Sequence, residues 1–150
     1  VNLFAEALGE LISPTDYART VKVELSHIGI DSCGITLKDA SGLSPANAVP
    51  AEVFTDLLIW AKGHLSDAFV SSLPRGNVDW GLRVYSDHPV LRENVIAKTG
   101  SMSGVRALAG YLKNQKGETL AFTILVNNYV GDPVKVQEII RDLLKDIADK

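Results

Sequence analysis

One cysteine, Cys33, excludes an internal disulfide, and with three scattered histidines (His27, His64, His88) it provides no metal-ligand spacing, so neither a metal nor any cofactor is expected. Basic charge is also short. Lys+Arg 15 against Asp+Glu 18 gives a formal net charge of -3. With aromatics at 7%, there is no basic stripe and no aromatic-rich RNA motif, which leaves no nucleic-acid partner. No apolar run approaches the ~20 residues that span a bilayer, and no basic-then-apolar leader opens the chain. It starts at Val1 without Met and is expected to be a piece of something longer. No internal repeat or low-complexity tract is present.

What remains is a globular composition. With 46% hydrophobic and 22% charged residues, 150 residues are enough for one domain that buries roughly 68–70% of its unfolded surface. Phe4, Leu8, Leu11 and Ile12 recur at helical spacing, so a helix is predicted over Asn2–Ile12, stopped by Ser13-Pro14. A second is predicted from Thr15 to Ile28 on the face Tyr17, Val21, Leu25 and Ile28, with Gly29 as its stop. Cys33–Leu37 is β-prone and enters the turn-rich loop Asp39–Pro45. Val53, Phe54, Leu57, Leu58 and Ala61 mark a third helix between Pro50 and Gly63, and 64–94 read as short helices and loops.

A strand block comes next. Val95–Thr99, Val105–Leu112 and Thr119–Asn127 are β-prone, with Asn114-Gln115-Lys116-Gly117 as the turn of an antiparallel hairpin. Leu120, Phe122, Ile124 and Val126 alternate with Ala121, Thr123 and Leu125, so both faces of the last strand are expected to be covered. Asp132 as N-cap and Pro133 at the first helical position open a closing helix. Its apolar stripe is Val136, Ile139, Ile140, Leu143, Leu144 and Ile147, and the sheet is the expected partner.

Lys98-Thr99-Gly100 ends the first strand and is succeeded by Ser101-Met102-Ser103-Gly104. Such a strand end places an ammonium, a hydroxyl and a side-chain-free backbone on one edge, which suits the grip of a peptide carboxylate. The run Val95–Val105, with Ala109-Gly110-Tyr111 after it, resembles class C low-molecular-mass penicillin-binding proteins, which are D-alanyl-D-alanine carboxypeptidases/endopeptidases. Three further stretches match that family in order. Asn2–Glu6 resembles the asparagine of its Ser-x-Asn motif with the residues next in line, Asp39–Ser44 its Asp-Gly-Ser-Gly-Leu-Ser loop, and Ser72–Pro74 with Val78–Leu82 its Leu-Pro…Val-Asp-Gly-Thr-Leu stretch. Ala40 replaces a usual Gly, and Trp80 intrudes before Gly81.

The resemblance implies an α/β fold of α+β type, part of a penicillin-recognising transpeptidase/β-lactamase-like domain. Its antiparallel sheet would carry the C-terminal helix on one face and the preceding helical region on the other. Residues 1–150 would be the C-terminal portion of that domain, with an open sheet edge and apolar face awaiting the complementary N-terminal part. The resemblance also assigns roles. Lys98 would place positive charge over the site and assist proton transfer, Asn2 would bind the substrate amide, and the Ser101 N–H would face the developing oxyanion. Thr99 would bond the terminal carboxylate, Gly100 would leave room for the substrate backbone, and Met102 and Ser103 would line the pocket edge.

No serine in the chain has a lysine three positions on, so the Ser-x-x-Lys nucleophile is absent and the chain by itself is expected to be inactive. The activity implied for the complete protein is acyl-enzyme hydrolysis of peptidoglycan stem peptides, with β-lactam antibiotics as further ligands and an extracytoplasmic location. A serine β-lactamase shares Lys-Thr-Gly but not the Asp39–Ser44 and Leu73-Pro74 stretches. A non-catalytic peptidoglycan-binding module is the alternative from another class. Each residue also has a plainer reading: Lys98 as a solvated strand-end lysine, Asn2 as an N-cap, Asp39 as a turn former, and Met102 as a gap filler.

Overall fold

A computed structural model of the chain describes residues 16–150, so the helix predicted over Asn2–Ile12, and Asn2 with it, lie outside the described residues. There are two compact units, one ending at Leu57 and the other starting at Leu58.

In the first unit, helix α1 spans Tyr17–His27. It begins there because the Asp16 carboxylate accepts the Arg19 amide at 2.9 Å, satisfying one of the first-turn donors that have no partner in the helix. Of the predicted face only Leu25 is buried within the helix, and Gly29 turns the chain away at φ +79. The β-prone Cys33–Leu37 yields a single bridge, Thr36 to Ala48, rather than a strand. Between those two residues the chain folds around Asp39. Its carboxylate accepts the Ser44 amide at 2.7 Å, the Gly42 amide at 2.9 Å and the Asn47 side-chain amide at 2.9 Å. Asn47 chiefly, with these backbone donors, holds the Asp39 carboxyl below its ordinary 3.8. These donors, with the Ser41 side chain, turn inward and make Asp39 the organiser of its own loop, as the turn reading expects. Helix α2, Ala51–His64, starts behind Pro50, passes at Leu58 into the second unit and runs one residue past Gly63.

The second unit is built on the predicted strands. After α3 (Asp67–Ser72), a 3₁₀ helix (Trp80–Tyr85) and α4 (Pro89–Asn94) come β1 (Val95–Met102), β2 (Val105–Lys113) and β3 (Thr119–Asn127), then α5 (Pro133–Ala148). The sheet is antiparallel in the order β1-β2-β3. Lys98 stands opposite Ala109, Thr99 opposite Leu108 and Ser101 opposite Arg106. The Asp132 carboxylate accepts the Val134 amide at 2.8 Å, so the predicted N-cap of α5 is in place.

The sheet pleat sorts the side chains. Val95 and Ala97 of β1 and Leu108 and Leu112 of β2 share one face, where they form the core with Leu82, Tyr85 and Leu91 and with Ile140, Leu144 and Ala148 of α5. The 3₁₀ helix and α4 therefore pack on the same face as the closing helix, not opposite it as the resemblance implied. The other face is met at Tyr111, whose hydroxyl donates to the Leu58 carbonyl of α2 at 2.6 Å. The stripe of α5 is also narrower than its spacing predicts: Ile139 is 69% and Leu143 46% exposed. Phe122, Ile124 and Val126 of β3 pack against this core, and Ala121, Thr123 and Leu125 on its other face are half-buried.

Gly110 sits where β1 and β2 come closest. A side chain there would overlap the Ile96 carbonyl oxygen and lie 2.5 Å from Ala97 Cα. Only a residue without Cβ fits that approach.

Candidate active-site edge

The first half of β1 is paired on both sides. Pro74–Gly76 lies along its outer edge, the Ala97 amide donating to the Pro74 carbonyl at 2.9 Å and the Gly76 amide to the Val95 carbonyl at 3.1 Å. In an antiparallel ladder, backbone polar groups alternate between the two edges. Odd-numbered residues of β1 therefore turn their N–H and C=O outward. Beyond Ala97 no strand pairs with this edge among the described residues, which leaves the Thr99 and Ser101 backbone groups on an open rim.

Lys98 is exposed, and its Nζ curls over this rim to donate to the Thr99 carbonyl at 2.5 Å. The Thr99 side chain is half-buried on the core face, its Oγ1 occupying space left by Gly81: a side-chain carbon on Gly81 would stand 3.3 Å from it. Gly81 thus serves the Lys-Thr-Gly strand from behind. Gly100 faces the other way, and a side chain there would meet only the Ala107 methyl at 3.2 Å.

Ser103 and Gly104 form a two-residue turn joining β1 to β2, with Gly104 at φ +67, a region open to glycine at little cost. The turn is tied to the segment after β3 by the Tyr129 amide, which donates to the Gly104 carbonyl at 3.2 Å. Between turn and segment opens a cavity of ≈ 570 Å³, lined by Ser101, Met102, Ser103, Arg106, Tyr129 and Gly131 among others. Arg106, opposite Ser101 on the same sheet face, donates from Nη1 to the Ser101 Oγ and to the Val105 carbonyl at 3.1 Å. Its guanidinium carbon lies 5.8 Å from the Tyr129 ring centre. The Arg106 Nε is buried without a hydrogen-bond partner, and no carboxylate pairs with this side chain among the described residues. An unsatisfied buried donor costs about 1–3 kcal/mol, so the arrangement is not explained by stability alone.

Lys98, Thr99, Gly100, Ser101, Met102 and Ser103 therefore share one strand end, its open rim and the adjoining cavity, while Asn2 lies outside the described residues. Sequence reasoning placed neither Arg106 nor Tyr129 at the site. Reading Ser103-Gly104 as a hairpin turn would have placed Arg106 opposite Ser101. Among the described residues no three His, Cys, Asp or Glu side chains could hold a metal ion together. The chemistry available is that of a cationic rim with two outward amide positions, suited to receiving an extended peptide as an added strand.

The helix-backed antiparallel sheet is similar to that of solved penicillin-binding structures. Penicillin binding protein 4 (dacB) from Haemophilus influenzae superposes with a TM-score of 0.86 at 28% identity, over 99% of this chain and 37% of that one. Its complex with a novel β-lactam gives 0.80 at 31% identity, over 89% and 33%. The chain belongs to the D-Ala-D-Ala carboxypeptidase 3 (S13) family, which it matches over residues 2–149. Among curated relatives, the D-alanyl-D-alanine carboxypeptidase of Actinomadura sp. is 39% identical, over 85% of this chain and 25% of the relative. The D-alanyl-D-alanine carboxypeptidase DacB of Haemophilus influenzae is 33% identical, over 87% and 30%. The chain thus spans between a quarter and a third of the length of these relatives.

Proposed function

We propose that the complete protein hydrolyses D-alanyl-D-alanine peptide bonds of peptidoglycan stem peptides through a serine acyl-enzyme, and that β-lactams acylate the same serine. This chain is the C-terminal portion of the domain; the complementary N-terminal part supplies the nucleophile and its lysine base. The observation that carries the reading is the open rim of β1, where the outward Thr99 and Ser101 backbone groups lie beside the Lys98 ammonium. A peptide lying antiparallel along it would pair with those groups, and the Ser101 N–H is one of the two donors an oxyanion needs. Lys98 supplies the cation that draws the terminal carboxylate and lowers the cost of moving the serine proton. Thr99 and Ser101 contribute hydroxyls to the carboxylate, Gly100 keeps the rim free of side chains, and Met102 and Ser103 border the space for the penultimate residues. Asn2 binds the substrate amide. The location is extracytoplasmic, where the substrate is. Family membership and the relatives' activities support this reading.

The test is acylation of the full-length protein by a labelled penicillin. Wild type is expected to take up label at one serine, and Lys98→Ala to do so at least about 100-fold more slowly, the scale of losing one charged participant in a proton transfer. A wild type that never labels refutes the proposal.

A further inference from the structure

We propose that Arg106 is the positioning residue for carboxylate recognition, holding the Ser101 hydroxyl so that its proton is offered to the open rim. This rests on the function proposed above. A serine hydroxyl has one proton to donate and two lone pairs to accept with. The Arg106 Nη1–H occupies a lone pair of Ser101 Oγ from the core face. The Ser101 proton cannot be given back to a cation, so it points away from Arg106, toward the rim where the Ser101 amide also faces. An acceptor-only group that meets this proton and a guanidinium just behind it is a carboxylate.

The surroundings of Arg106 fit such a task better than they fit a brace. Its charge has no carboxylate partner among the described residues, and its Nε is buried with no acceptor. The Tyr129 ring at 5.8 Å gives the cation a face to rest on without neutralising it. The positive charge therefore stands on β2, behind the rim, and lines the cavity without a compensating carboxylate among the described residues. Lys98 reaches the same rim from the opposite face of the sheet, so an incoming carboxylate meets a cation on either side of the strand.

The experiment uses the full-length protein and two substrates: an acyl-D-alanyl-D-alanine peptide with a free terminal carboxylate, and an acyl-D-alanyl thioester whose leaving group carries none. Arg106→Ala is expected to lower kcat/KM on the peptide by about 10–100-fold, mostly through KM, and to change the thioester by less than about threefold, since one charge-assisted contact is lost only where a carboxylate is present. In a Ser101→Ala background the same substitution should add less than about threefold, because the two residues act as a pair. Arg106→Lys keeps the charge without the fork and should show an intermediate, equally selective loss; it carries the test if Arg106→Ala does not fold. Equal losses on both substrates, or full additivity with Ser101→Ala, overturn the inference and leave the proposed activity standing. A wild type inert toward both substrates overturns both.

Discussion

Two glycines on neighbouring strands should respond oppositely to the same methyl group. At Gly110 the obstacles are backbone: the Ile96 carbonyl oxygen directly in the way, Ala97 Cα at 2.5 Å and the Ala97 methyl at 2.7 Å. None of these moves without prising β1 from β2 at the fully buried Ala97. At Gly100 the obstacle is one methyl, Ala107 Cβ, at 3.2 Å, which yields by a few tenths of an ångström. Ordinary overpacking costs about 1–3 kcal/mol, and backbone obstruction lies at or beyond the upper end, so about 3 kcal/mol or more is expected for Gly110→Ala. Gly100→Ala should stay within about 1 kcal/mol, where small changes with room to relax fall. Urea unfolding of the full-length protein and its two variants reads the difference as a midpoint shift at constant slope. Labelling by penicillin then separates fold from function: Gly100→Ala should be acylated more slowly although it is nearly as stable as wild type. Equal midpoints for the two variants would refute the reasoning about the strand contact. Wild-type labelling of Gly100→Ala would refute the role given to the bare strand edge.

Two further predictions concern pH. Burial pushes the Tyr85 hydroxyl up to about 12 from 10.0, and the positive charge of Arg106 offsets only part of that. The fold favours the protonated form, so this contribution is complete below pH 10 and is lost as pH rises from 10 toward 12, up to about 3 kcal/mol for two pKa units. The urea midpoint should fall through that window in wild type and fall less in Tyr85→Phe; identical pH dependence in the two would contradict it. Asp39 has the opposite sign. Its folded pKa is depressed, so the loop contacts are present above 3.8 and are lost as pH drops through the lower folded value. The Gly42 and Ser44 amide resonances should titrate with a midpoint below 3.8, and a midpoint at or above it would show that the carboxylate is not held by these donors.

Elements with a local signal were legible in the sequence. The N-cap pair Asp132-Pro133, the turn at Asn114–Gly117 and the alternating strands are local in origin, and all three stand where the sequence places them. Lys98–Ser103 stands out as a candidate in the sequence because its residues are contiguous along one strand and the turn that follows it. Arg106 is five residues from Ser101, and nothing links the two until the register sets them face to face. Cys33–Leu37 shows the limit of β propensity, since a β-prone run with no neighbouring strand makes one bridge and stops.

The Lys98 ammonium resting on the Thr99 carbonyl would bear on solubility as well as on the proposed binding. A bare strand margin invites any passing extended chain, including another copy of itself, and a charge parked across the ladder is a recognised deterrent. Here the deterrent is hinged, because a flexible four-carbon stem can swing aside for a guest that brings its own negative terminus and stay in place for one that does not. The residue that guards the vacancy would thus also select its occupant.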